Sequence, residues 1–137
     1  MSTLSDKLLD FRFDIADDDG FYSVSSSNFN RAVKTAYKKY VAKYNSHANS
    51  TSDFVLIYEY SSFLGFIQGF AITDYCIYGD EGSSFELPLR DLASVKYDES
   101  ENEFVFTSTS NKKHYIKVAS SKKGLARQVA TLINNHL

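Results

Sequence analysis

The side chains that could act as a nucleophile or bind a metal ion are few in this sequence and lie far apart. The only cysteine, Cys76, falls inside a predicted strand. His47, His114 and His136 fall in a polar loop, at the start of a predicted strand and near the end of a predicted helix. A catalytic thiol needs a neighbouring base and partial exposure, and a zinc site needs closely spaced ligands. We therefore predict a buried, unreactive Cys76 and no metal or other cofactor.

A short acidic run near the start of the chain resembles part of a calcium-binding loop. Asp17, Asp19 and Gly20 match the D-x-D-x-D-G portion of that loop. In this alignment the first and twelfth ligand positions are Ile15 and Ser26, where calcium needs carboxylates. The run is therefore predicted to be a solvated acidic turn.

Acidic residues also concentrate in two predicted turns between strands. General acid–base catalysis by a carboxyl group near neutral pH requires that its pKa be raised. Turns expose carboxylates to water, and we expect nothing in these segments to raise a carboxylate pKa. We therefore predict that the protein is not an enzyme. Such turns are typical of solvated hairpins, but they could also form a negative surface that steers a basic protein partner. The partner-binding residues of this prediction are Asp80, Glu81, Asp98, Glu99, Glu101 and Glu103.

A predicted helix over residues 29–44 carries the opposite charge. Apolar and aromatic residues recur along it with amphipathic spacing, and Ser27 or Asn28 is a suitable N-cap. Its tyrosines fall on the apolar stripe, so we predict that they pack in the core. The other side is either a solvated face or a site for phosphate groups or an anionic membrane surface. The residues of this alternative site are Arg31, Lys34, Lys38, Lys39 and Lys43.

The net charge of −2 is distributed unevenly along the 137 residues. Residues 53–103 hold eleven acids and two bases, whereas residues 104–137 hold six bases and no acid. The segregated charges could form opposed patches or cancel by packing. The net negative charge disfavours nucleic-acid binding, since domains that bind nucleic acids are usually basic. One cysteine, no signal-peptide pattern and no apolar run of about 20 residues together predict a cytoplasmic location.

Short segments rich in strand-forming residues, separated by turn signals, fill residues 54–118. The strongest turn signals are Gly79–Gly82 and Asp98–Asn102. An amphipathic helix follows over residues 121–136, with Ser120 or Ser121 as its cap. Residues 1–52 are a helical N-terminal extension, although the first 20 residues fit either a helix or a strand. The sequence predicts a single α+β domain with a mostly antiparallel sheet or partly open barrel.

Two stretches, GFAITDYCIYGD over residues 69–80 and FELPLRDLASVKYD over residues 85–98, carry a family resemblance. They resemble bacterial pleckstrin-homology-like domains, and the likeness covers about residues 54–137. The resemblance implies a partly open barrel with a C-terminal helix at one end, and a binding module without an active site. Phosphoinositide-binding members carry Lys and Arg between their first two strands. The matching loop, Ser61–Gly65, has neither, which disfavours that ligand.

Together these patterns predict a non-catalytic protein-binding domain. By analogy of size and charge, it would suit a bacterial inhibitor or immunity protein that occludes a basic partner such as a toxin. The alternative is a peripheral module that binds anionic lipid or phosphate through the basic helix.

Overall fold

The computed structural model describes residues 20–23, 27–44, 54–62, 64–119 and 123–137. Within these ranges lie eight strands: β1 (Phe21–Ser23), β2 (Phe54–Ser62), β3 (Gly65–Thr73), β4 (Cys76–Asp80), β5 (Ser84–Pro88), β6 (Leu92–Asp98), β7 (Glu103–Ser108) and β8 (Lys113–Lys117). The helices are α1 (Phe29–Ala36), which continues as a π-helical turn over Tyr37–Val41, and α2 (Lys123–His136). A 3-10 turn, Leu89–Asp91, joins β5 to β6.

The described strands form two antiparallel sheets. The first sheet has the order β1-β2-β3-β4-β5 and the second sheet has the order β6-β7-β8. The predicted α+β class with mostly antiparallel strands is therefore confirmed. The described strands do not close into a single barrel.

Local turn chemistry explains where the hairpins reverse. Gly82 has a φ of 111°, a conformation that L side chains rarely adopt, and its N–H donates to Asp80 Oδ1 at 2.9 Å. In the turn between β6 and β7, Asp98 Oδ1 accepts from Ser100 N–H at 3.0 Å, and Asn102 has a φ of 53°. These are the two turns that the sequence signals indicate most strongly.

Both faces of the first sheet are buried, which explains why β2 begins with five consecutive buried residues. One face packs against the second sheet and α2 through an aromatic core. Phe70 lies edge-on to Phe104 and Phe106, with ring centroids 5.1 and 5.3 Å apart. On the other face, Ile57 and Tyr78 pack under α1. The first sheet is therefore the central layer of three.

The segment before β2 differs in detail from its prediction. The α-helical part of the predicted helix ends at Ala36, and its N-cap, Asn28, makes no side-chain capping hydrogen bond. The three-residue strand β1 has no counterpart in the prediction, and Phe21 pairs with Tyr58 of β2. The conformation predicted for residues 1–19, the acidic run over residues 17–19, and the Ser120 or Ser121 cap all lie outside the described residues.

Candidate functional site

The outer edge of β8 is closed by side chains from the first sheet. Tyr115 N–H donates to Glu81 Oε2 at 2.9 Å, and Lys117 N–H donates to Gln68 Oε1 at 2.8 Å. The Lys117 carbonyl accepts from Tyr58 Oη at 2.8 Å. These three bonds join the second sheet to the first through backbone groups of β8. We call this the β8 edge.

Glu81 has a second role at the β8 edge. Its Oε1 lies 2.7 Å from Nδ1 of His114, whose ring stacks on Phe85 with centroids 4.0 Å apart. The His114 side chain is 8% exposed and the Glu81 side chain 22%. Both carboxylate oxygens of Glu81 are therefore engaged inside the molecule, although the sequence predicted a steering residue at this position.

The opposite edge of the second sheet, the β6 edge, has a different environment. Val95 N–H donates to Oδ1 of Asn134, a residue of α2, at 3.1 Å. Backbone groups along an antiparallel strand alternate between its two neighbours, so Tyr97 N–H and C=O point from this same edge. Across the five described ranges, Tyr97 N–H has no protein acceptor. The β6 edge is therefore only partly closed.

An open groove runs between β6 and α2 and has a volume of about 360 Å³. Val95 and Tyr97 line it from the strand, and Ala130, Thr131 and Asn134 line it from the helix. We call it the β6–α2 groove. An ion pair between Arg127 of α2 and Glu99 stands at the end where β6 turns into β7. The groove thus combines a partly unpaired strand edge with apolar and polar lining groups, as a site for an extended peptide requires.

The acidic turn between β6 and β7 holds four of the predicted partner-binding residues. Asp98 Oδ1 accepts from Ser100 Oγ at 2.7 Å, and this bond, with backbone bonds from residues 100 and 101, lowers the pKa of Asp98. Partial burial, with the nearby Glu101 and Asp98, raises the pKa of Glu103, so the prediction that nothing in this segment would raise a carboxylate pKa is wrong for this residue. The structure therefore brings Asp98, Glu99, Glu101 and Glu103 together in one turn at an end of the β6 edge.

The other two predicted acids, Asp80 and Glu81, lie in the turn between β4 and β5. Asp80 Oδ1 accepts from Gly82 N–H, and Glu81 joins the β8 edge. Both acids of this turn therefore make contacts that stabilise the fold.

The basic residues of α1 and the turn that follows it divide into one engaged arginine and four exposed lysines. Arg31 Nη2 donates to Tyr22 Oη at 3.0 Å, and Arg31 Nη1 lies 3.6 Å from Glu59 Oε2. Burial raises the pKa of Glu59, and Arg31 opposes that rise. The exposed lysines are Lys34, Lys38, Lys39 and Lys43. The apolar stripe between them is buried against the first sheet, as predicted.

Cys76 is completely buried, as predicted. Burial, with a smaller contribution from Glu86, raises the pKa of the Cys76 thiol to about 12, so it is protonated at neutral pH. Across the described residues, no group of three or more His, Cys, Asp or Glu side chains could hold a metal ion.

Sequence reasoning missed the β6–α2 groove and Asn134. The pair Asn134-Asn135 lies near the end of the predicted C-terminal helix, and its local sequence does not indicate that an asparagine here bonds to a neighbouring strand. Its partner Val95 lies 39 positions away in the chain, so no local pattern links them.

No protein-family model matches the chain, and no significant match exists among curated proteins or solved structures. None of the described helices is both long enough and apolar enough to cross a membrane.

Proposed function

We propose that this protein is a non-catalytic protein-binding domain that pairs with an extended segment of its partner along the β6 edge. The observation that carries the proposal is the hydrogen bond from Val95 N–H to Asn134 Oδ1. A side-chain carbonyl here occupies the place that the backbone carbonyl of a neighbouring strand would take. If a backbone carbonyl of the partner segment replaces the Asn134 side chain, Val95 N–H exchanges one hydrogen bond for another. Tyr97 N–H then gains an acceptor that it lacks among the described residues.

Strand addition would provide both affinity and orientation. Each new backbone hydrogen bond contributes roughly 0.5–1.5 kcal/mol net. Alternate side chains of the added segment would enter the β6–α2 groove and bury apolar surface there. The protonated, buried thiol of Cys76 supports a binding role over thiol catalysis.

The acidic turn at the end of β6 would accelerate encounter with a positively charged protein. Carboxylates on an exposed turn act mainly on the association rate and less on final affinity. An inhibitor or immunity protein that occludes a basic toxin is the narrower form of this proposal, and a bacterial cytoplasmic location would accompany it. A pleckstrin-homology-like fold for residues 54–137 is part of the same proposal, and the two antiparallel sheets beside a C-terminal helix support it.

Groove-blocking variants test the proposal. Linear peptides selected from a random display library on the native protein should bind wild type and lose at least tenfold in affinity for Thr131→Trp. Thr131 is exposed and lines the β6–α2 groove. The matched control is Gln128→Trp, because Gln128 is an exposed residue of α2 that does not line the β6–α2 groove, although it lines an adjoining cavity that Thr131 also lines. Binding to this control should be unchanged.

A direct backbone measurement completes the test. On peptide addition, hydrogen exchange at Tyr97 N–H should slow, because the added strand supplies the missing acceptor. Selected peptides that bind both tryptophan variants equally, or that perturb only residues 80–83 or α1, would refute strand addition at β6.

A second candidate function is adsorption to an anionic membrane surface through α1. The four lysines Lys34, Lys38, Lys39 and Lys43 are exposed, while the apolar stripe is buried. The helix can therefore attract anionic headgroups but has no apolar face to insert. Sedimentation with anionic liposomes, and its loss in Lys34→Ala/Lys38→Ala/Lys39→Ala, distinguishes this function from peptide binding.

A further inference from the structure

We infer that the partner segment is antiparallel to β6 and reads, from its N-terminus, basic–apolar–acidic–apolar, with its acidic side chain beside Lys96. This inference rests on the proposed strand addition and specifies the chemistry of the segment that the site would select. It follows from the register of the second sheet and from the charges on its outer face.

The outer face of the second sheet carries cross-strand rows of known register. Lys96 of β6 lies opposite Val105 of β7, which lies opposite Tyr115 of β8. The next row, towards the acidic turn, joins Asp98 to Glu103 and Glu103 to Lys117. The first row therefore has one positive charge and no acid, whereas the second has two acids and one base.

Lys96 is exposed and has no ion-pair partner among the described residues. The position that a carboxylate would take beside it on β7 is occupied by Val105. The remaining neighbour of Lys96 in its row lies beyond the β6 edge, where an added strand would sit. An acidic side chain there would be the first direct counter-charge of Lys96 in its row.

The row of Asp98 has an excess of negative charge. Glu103 faces Lys117 on one side and Asp98 on the other, so one lysine serves two carboxylates. A basic side chain added beyond Asp98 would give each acid an opposite charge as a neighbour. Like charges directly opposite each other are unfavourable, so a further acid is disfavoured at this position.

Strand geometry strengthens the selection at these two positions. The N–H and C=O of Lys96 and Asp98 point towards β7, so an added antiparallel strand faces both residues in non-hydrogen-bonded pairs. In such pairs the side chains approach most closely, with Cα atoms about 4.5 Å apart. The residues opposite Val95 and Tyr97 point to the other face and enter the β6–α2 groove, so they are apolar.

Antiparallel addition fixes the order of the segment. All strand pairs of the second sheet are antiparallel, and an antiparallel neighbour is slightly more stable per residue than a parallel one. The basic residue opposite Asp98 then precedes the acidic residue opposite Lys96, with one apolar residue between them.

Charge reversal at Lys96 tests the inference. Peptides selected from a random display library on wild type should be enriched in the basic–apolar–acidic–apolar order, and selection on Lys96→Glu should replace the acid with a base. A wild-type peptide should bind Lys96→Glu about fivefold more weakly, as expected when one cross-strand attraction becomes a repulsion. The matched control is Lys113→Glu, the same change on the same face of β8, which should alter neither enrichment nor affinity.

The outcomes separate this inference from the proposed function. Peptides whose binding is lost in Thr131→Trp but which show no charge preference, or no switch in Lys96→Glu, would refute the inference and leave strand addition standing. Enrichment of the reverse order, acidic before basic, would overturn the antiparallel direction. Peptides that bind wild type and Thr131→Trp equally would refute both proposals.

Discussion

The two outer edges of the second sheet are covered by different means. At the β8 edge, a carboxylate and an amide from the first sheet bond to Tyr115 and Lys117, and the same carboxylate holds the buried His114. At the β6 edge, one neutral asparagine of α2 bonds to Val95. Bonds to a charged acceptor are roughly twice as strong as neutral ones. The β8 edge is thus a strongly bonded junction between the two sheets, whereas the β6 edge is held by a bond that a peptide carbonyl could replace.

The largest expected effect lies at the β8 edge, in Glu81→Ala. Removing this carboxylate leaves Tyr115 N–H and His114 Nδ1 without their acceptor, and we expect the free energy of unfolding to fall by about 2–3 kcal/mol. Urea denaturation followed by circular dichroism measures the change. Glu101→Ala is the control, because Glu101 is exposed in the neighbouring acidic turn, and it should shift stability by less than about 0.5 kcal/mol. Equal effects of the two variants would contradict the structural role of Glu81.

The contrast between these edges also marks what sequence could predict. The turn that begins at Asp98 and the alternation of β7 are local signals, because the residues that form them are neighbours in the chain. The same signals give no information about Glu81, whose partner His114 lies 33 positions away. Read locally, Glu81 is one more acid in a turn, and only the folded chain shows that it faces inward.

Strand β1 shows a second limit of local reasoning. Its three residues, Phe21–Ser23, are too few to display an alternating pattern, and it exists because Phe21 fits between Tyr58 and Phe104 in the core. Burial on both faces of the first sheet was likewise not evident, since it depends on how α1 crosses the strands. The candidate site was missed for the same reason, because it is formed by a strand and a helix separated in sequence.

A smaller effect is expected at Gln68, the neutral member of the β8 edge. Its Oε1 accepts from Lys117 N–H, an exposed bond. Gln68→Ala should therefore cost about 1 kcal/mol, the usual net value of a neutral hydrogen bond. Chemical denaturation again measures it, and amide exchange at Lys117 should accelerate while exchange at Val95 is unchanged. If Gln68→Ala lowered the free energy of unfolding as much as Glu81→Ala, the charge of the acceptor would not determine the strength of the hydrogen bonds at this edge.

The smallest change in stability is expected at the β6 edge, together with a gain in binding. Asn134→Ala removes a neutral cap from Val95 N–H at a solvent-accessible groove, so it should lower the free energy of unfolding by less than about 1 kcal/mol. Amide exchange at Val95 should accelerate, whereas exchange at Tyr115 should not change. A peptide selected on wild type no longer has to displace the asparagine, so its affinity should increase about threefold, provided that the bond it replaces contributes roughly 0.6 kcal/mol. Gln128→Ala is the matched control for helix propensity, because Gln128 is exposed on the same helix and does not line the β6–α2 groove. Weaker peptide binding in Asn134→Ala than in this control would mean that Asn134 contacts the partner and does not compete with it, and the two edges would then differ in strength alone.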